Sequence, residues 1–303
     1  MPWASRLPRP IGYVLGGGAA YGAVQVGMLQ ALAETDLLPD LVVGTSVGSL
    51  NGAILAEEPV AAAHRLTHIW SGVRREDVFP RGIWGAYKSL VAARPYIYTA
   101  DALADLITGT MQARAFADLA VPFAAVATDM ADGQATLLRE GPLRPALLAS
   151  AAIPAVFPWV EIGGRRYVDG GVASNVPLRE ACAMGAASLV VLDCGLLGIP
   201  GQQPHTIAES LIHAGALLAR QQVVRDLPPV ARDRPVVYLP GPFPLRSLAV
   251  DFDHTEDLAA AAYALSRRFL HALPPGEGPL EAGLYGDPAL AAQNSDVAAI
   301  RRG

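Results

Sequence analysis

Gly44-Thr45-Ser46-Val47-Gly48 sets a serine between two glycines where a short β-branched run, Leu41-Val42-Val43, gives way to Val47, Leu50, Ile54 and Leu55 at helical spacing. A hydroxyl at such a strand-to-helix turn is a nucleophile elbow. The serine takes a strained backbone conformation, and strand and helix pass too closely for side chains at the flanking positions. Ser46 then stands at a helix N-terminus, beside orphan backbone N–H groups and the positive end of the helix dipole. The chemistry this allows is attack on a carbonyl through an acyl-enzyme. The same five residues also occur in purely structural turns, so the rest of the chain must decide.

A nucleophilic serine needs a group to hold the developing oxyanion and a base. Gly16-Gly17-Gly18-Ala19-Ala20-Tyr21-Gly22 follows the first apolar run, 11–15. A dinucleotide fold would place an acid at the end of the second strand, but that strand runs into Gly44-Thr45-Ser46. A P-loop would close with Gly-Lys-Ser/Thr, which is absent here. The alternative to a nucleotide-binding loop is that the glycines bring bare backbone N–H groups up to a developing oxyanion, as acyl transfer needs.

Two routes to a base are open. Among six histidines, His64, His68, His213 and His271 fall in helical patterns and His205 precedes one. Only His254 has the late position of a hydrolase triad, and Asp251-Phe252-Asp253-His254 resembles a helix cap. The second route is a carboxylate acting directly. Asp169 ends a strand and is followed by Gly170 and Gly171, so nothing bulky covers it. An exposed aspartate is a poor base at neutral pH, so burial must raise its proton affinity or its role is to orient Ser46.

The elements that must position these groups alternate along the chain. Strands are expected at 11–15, 41–43, 122–128, 134–138, 160–162, 166–168, 188–192 and 235–239, with a turn at 129–133. Helices are expected from 24 to 34, from 47 onward, through most of 55–114, and at 147–153, 176–184, 206–225 and 255–271. Such alternation means an α/β fold with a mainly parallel sheet covered by helices. Residues 1–10, with three prolines, read as a loose leader, 11–273 as a single domain and 274–303 as a loosely structured extension. Between 78 and 98, Phe79, Trp84, Tyr87, Tyr96 and Tyr98 are interleaved with Arg81, Lys88 and Arg94, a set that packs in a core or forms a substrate lid.

Composition narrows the class. The 303 residues are 52% hydrophobic and 17% charged, enough for a large core and against disorder. A net charge of -5 and scattered arginine pairs argue against a nucleic-acid partner. The two cysteines, Cys182 and Cys194, form no metal-ligand pattern, so no metal is expected. The uncharged stretch 10–33 is broken by glycines and reads as neither signal peptide nor membrane span, so a cytoplasmic protein is expected.

Taken in order, Gly16 to Gly22, Gly44 to Gly48, Ser150-Ala151-Ala152-Ile153-Pro154 and Asp169-Gly170-Gly171 resemble the patatin-like phospholipases. The resemblance runs from about 11 to 192, and four patterns in register are far more specific than any one. It implies a three-layer α/β/α sandwich that hydrolyses acyl esters of lipids, with no cofactor and with transient contact to a membrane surface. Residue by residue it makes Ser46 the nucleophile, Asp169 its base and Gly16, Gly17 and Gly18 the oxyanion-hole region. Gly44 and Gly48 shape the elbow, while Tyr21, Gly22, Gly170 and Gly171 support the site. One departure is Tyr21, which stands where the family carries Arg or Lys. It is the one sequence feature favouring the alternative of a non-catalytic lipid-binding member.

Overall fold

Ile11–Leu15 forms the first strand, β1, and is buried along its whole length, as an unbroken apolar run requires when both faces of a sheet are covered. The computed structural model describes residues 3–79, 95–195, 207–242 and 251–286. β1 pairs in parallel with β2 (Leu41–Thr45) on one side and with β7 (Ser188–Leu192) on the other. Beyond β7, β8 (Pro235–Tyr238) and β9 (Gly283–Tyr285) continue the parallel sheet. On the other flank β2 pairs in parallel with β3 (Phe123–Asp129). β4 (Ala135–Leu138), β5 (Val160–Ile162) and β6 (Arg165–Asp169) add an antiparallel margin. Among the described residues the sheet has nine strands.

Two apolar clusters, one on each face, make three layers. Helices α1 (Gly22–Ala33), α2 (Val47–Glu57) and α3 (Ala62–Gly72) share one cluster with α5 (Asp101–Thr110), α6 (Leu143–Ser150) and α9 (Thr255–Ala272). A single helical turn, α4 (Arg75–Val78), follows α3. The opposite cluster joins the sheet to α7 (Leu178–Ala183) and α8 (Ile207–Asp233). Ile11, Tyr13 and Leu15 point to the first cluster and Val14 to the second, the two-residue period of a strand.

Trp3 is 2% exposed and Leu7 is buried with it. Arg6 Nε and Nη1 donate to the carbonyls of Gly278 and Pro274, and the Leu280 N–H donates to the Arg6 carbonyl at 2.7 Å. Residues 3–7 and 274–280 therefore pack on each other, and β9 is added by pairing with β8, a contact that no local pattern in three residues announces. α8 continues to Asp233 through Pro228 and Pro229, past the expected end at 225, because buried Leu227, Val230 and Ala231 anchor its last turns. Of the aromatic and basic set at 78–98, Phe79 packs in the core between Phe157 and Phe252, while Arg81, Trp84, Tyr87, Lys88 and Arg94 lie outside the described residues.

Candidate active site

Ser46 caps α2 with φ 54° and ψ -127°, a conformation that costs a non-glycine residue about 1–3 kcal/mol and persists only where its surroundings enforce it. The enforcement is visible on both sides of the turn. A Cβ on Gly44 would collide with the Gly48 carbonyl, and a Cβ on Gly48 with the carbonyls of Leu15 and Gly16. The Ser46 N–H donates to Ser150 Oγ at 3.0 Å, and that hydroxyl donates onward to the Val126 carbonyl at 2.6 Å. The Ser46 carbonyl is taken by Ser49 N–H and Oγ, at 2.8 and 2.6 Å.

The sheet brings Asp169 to the same place. Val126 of β3 pairs with Thr45 of β2, and Ala127, the next residue, pairs with Asp169 of β6. β4 occupies the other edge of β3 over these residues, so β2 and β6 meet head-on along one edge. Asp169 is buried, with Oδ1 accepting from the Gly171 N–H at 2.7 Å and Oδ2 without a full hydrogen bond. Burial raises its pKa to about 6, and the adjacent Ser46 hydroxyl and Gly171 amide hold back a larger rise. The Gly170 carbonyl accepts from Ser174 N–H at 2.8 Å and fixes the turn that follows.

The glycine loop lies against the serine: a Cβ on Gly17 would be 3.2 Å from Ser46 Cβ. Its amides are not equivalent. Gly16 N–H donates to the Leu192 carbonyl and Gly17 N–H to the Asn175 carbonyl, both at 3.0 Å. The N–H groups of Gly18, Ala19 and, across the serine, Val47 make no hydrogen bond among the described residues. Gly16 and Gly17 therefore shape the loop, and the uncommitted donors begin at Gly18. Strand-end geometry spends the Gly16 amide on β7, and the Gly17 amide goes to Asn175 in the loop between β6 and α7.

A buried polar relay fixes the loop from behind. Gln25 Nε2 donates to the carbonyls of Gly16 and Leu192 at 2.8 and 3.0 Å. Asn51 Nδ2 donates to Gln25 Oε1 at 2.9 Å and to the Gly22 carbonyl at 3.1 Å, while Trp70 Nε1 donates to Asn51 Oδ1 at 3.0 Å. Asn175 Nδ2 reaches the Gly17 carbonyl at 3.4 Å. Tyr21 is buried at the end of the loop, and burial with the nearby Asp251 charge raises its pKa.

From Ser46 a cavity of about 80 Å³ runs between α2, α3 and α5. Apart from Ser46, Asn51 and Thr110, the described residues lining it are apolar. Aromatic rings close part of it: Trp70 stacks on Phe252 at 6.2 Å between centroids and Phe79 on Phe157 at 5.7 Å.

Residues 13–182 match the family model of the patatin-like phospholipases. The chain belongs to this family. A patatin-like phospholipase domain-containing protein of Caenorhabditis elegans is 32% identical over 200 residues, 63% of this chain and 14% of that protein. Human patatin-like phospholipase domain-containing protein 6 is 31% identical over 199 residues, again 63% of this chain and 14% of the relative. An uncharacterized NTE family protein of Mycobacterium bovis is 30% identical over 184 residues, covering 60% of this chain and 48% of the other. The chain thus spans half or less of the length of these relatives. Among solved structures, VipD of Legionella pneumophila superposes with a TM-score of 0.45 and 14% identity, over 88% of this chain and 67% of that one.

Set in this patatin-like frame, the predicted site residues come together: Ser46, Asp169, the glycine loop and Gly171 surround one point at the carboxyl edge of the parallel strands. His254 does not join them. It is exposed at the start of α9, 3.8 Å from Asp251, and no histidine among the described residues hydrogen-bonds to Ser46 or Asp169. Gln25, Asn51 and Asn175 were missed from the sequence. The available signal was two uncharged amides among the apolar residues of α1 and α2. Among the described residues no cluster of His, Cys, Asp and Glu is arranged for a metal, and no helix is long and apolar enough to cross a membrane.

Proposed function

We propose that this protein is a serine acyl hydrolase that cleaves carboxylic ester bonds of lipids, of the phospholipase A or lysophospholipase type, through a Ser46-Asp169 dyad. One observation carries the assignment: the Ser46 hydroxyl lies against a buried carboxylate whose second oxygen has no full partner. Catalytic hydrogen bonds of free enzymes are commonly long and tighten when substrate is bound.

In the proposed cycle Asp169 takes the Ser46 proton as Oγ attacks the ester carbonyl. The tetrahedral oxyanion is held by the uncommitted amides of Gly18, Ala19 and Val47, each such donor being worth about 3 kcal/mol of barrier. Collapse breaks the ester bond, and Asp169 returns the proton to the leaving alcohol. Water, deprotonated by Asp169, then attacks the acyl-enzyme, releases the fatty acid and restores the serine. A carboxylate with a pKa of about 6 is a stronger base than an exposed aspartate and is still ionised at neutral pH. The apolar cavity beside Ser46 supplies a place for an acyl chain and nothing to pair with a charged acyl group.

The test is release of free fatty acid from phospholipid and lysophospholipid micelles and from p-nitrophenyl esters. Hydrolysis by the wild type that falls by about a thousandfold or more in Ser46→Ala supports the assignment. A wild type that binds these lipids and hydrolyses none of them refutes it.

A further inference from the structure

The cavity that begins at Ser46 shares part of its lining with a second one. This second cavity, about 180 Å³, is bounded by Thr108, Leu143, Arg114 and Arg144, and both cavities are lined by Ile107 and Met111. Each of those two side chains is 5% exposed, so together they are a wall between two spaces and belong to no surface.

Helix α6 runs past both spaces. Ser150, at its C-terminal end, binds the Ser46 N–H, Leu147 lines the first cavity and Leu143 the second. At a helical rise of ~1.5 Å per residue, Leu147 lies ~5 Å and Leu143 ~10 Å from Ser150 along the axis. Along α6 the second cavity therefore lies farther from the nucleophile than the first, and Ile107 and Met111 line both. α5 packs against α6 and carries Ile107. Met111 follows the last turn of α5 in extended backbone, pinned there by Arg114 Nη1, which donates to the Met111 carbonyl at 3.1 Å. An unbranched thioether in such a place fills a gap that a substituent of another shape can open.

We propose that Ile107 and Met111 are the floor of the acyl site and set the longest acyl chain the protein accepts. This rests on the acyl-hydrolase reading above. Chains that stop short of the floor bind in the first cavity, and longer chains must displace Met111. Opening the floor joins the two spaces, whose apolar inner wall continues along Leu143, while Arg114 and Arg144 stand exposed at the outer end.

The experiment has two arms, each on the full chain and each with cooperative unfolding of the variants checked first. In the first, kcat/KM is compared for p-nitrophenyl octanoate and palmitate in the wild type, Met111→Ala and Ile107→Phe, with Met111→Val in place of Met111→Ala if the latter does not fold. The palmitate-to-octanoate ratio should rise about tenfold or more when Met111 is shortened and fall by a similar factor in Ile107→Phe. In the second arm, octanoate and palmitate binding is measured by calorimetry in a Ser46→Ala background with and without the same changes. The same shift in relative affinity is expected there. Hydrolysis with a ratio unmoved in both folded variants overturns the floor and leaves the hydrolase standing. A shifted binding preference with no hydrolysis keeps the floor and removes the hydrolase.

Discussion

Thr45 and Asp169 are consecutive partners on one edge of β3, the first paired with Val126 and the second with Ala127. β2 arrives from one direction and β6 from the other, so the residue that follows Thr45 meets the Asp169 carboxylate where the two strands abut. Ser46 and Asp169 are thereby positioned by strand ends, which hold a geometry more closely than loops do.

The pH dependence of activity follows from the Asp169 environment. Its pKa, raised by burial to about 6, means that in the proposed dyad the carboxylate form that accepts the Ser46 proton is lost as pH falls through that value. A plot of kcat/KM against pH should rise to a plateau with a midpoint near 6. A midpoint below about 4, the range of an ordinary aspartate, contradicts the burial effect.

Stability should show the opposite trend. The folded pKa, about 6, lies above the ordinary 3.8, so the folded state holds this proton more tightly than the unfolded state does. The stabilisation from the protonated form is present at acid pH and lost as pH rises through 6, a penalty of about 3 kcal/mol above it. Asp169→Asn, neutral at every pH, should therefore unfold at a higher temperature than the wild type near pH 8 while being inactive. The difference should shrink near pH 4. Thermal unfolding at the two pH values checks this.

Much of this arrangement is legible in the chain and some of it is not. The apolar run at 11–15, the glycines around Ser46 and the strand ending at Asp169 carry their signals locally, because alternation and turn chemistry are local properties. That β2 and β6 share an edge of β3 is a pairing between segments far apart in sequence, and nothing in either segment specifies the other. Counting glycines in 16–18 likewise says nothing of which amides are spent: Gly16 and Gly17 bind Leu192 and Asn175, residues far along the chain. Gln25 and Asn51 read as ordinary helix positions until α1, α2 and α3 are packed, when Asn51 donates to Gln25 and accepts from Trp70. The path of α8 through Pro228 and Pro229 is decided by burial of its apolar face, which overrides a local breaker.

Ser150 supports the elbow from α6. Ser150→Ala removes the acceptor of the Ser46 N–H and the donor to the Val126 carbonyl, leaving two buried backbone groups without partners. A stability loss of about 1–3 kcal/mol is expected in denaturant titration, with a fall in kcat that exceeds any rise in KM.

Two glycine substitutions should part in sign. A methyl on Gly48 strikes the carbonyls of Leu15 and Gly16, so Gly48→Ala should cost about 3 kcal/mol or more or abolish folding. Gly109, in the last turn of α5, has open space where its Cβ would stand. Gly109→Ala should raise stability by about 0.5–1 kcal/mol through helix propensity alone.

The most direct measurement is covalent labelling by a fluorophosphonate, read by intact mass and peptide mapping in the wild type, Ser46→Ala, Asp169→Asn and His254→Ala. The dyad predicts one adduct on Ser46, none in Ser46→Ala, labelling slowed by orders of magnitude in Asp169→Asn, and wild-type labelling in His254→Ala. Full-rate labelling in Asp169→Asn together with its loss in His254→Ala would contradict the dyad and put a histidine in the place of the carboxylate.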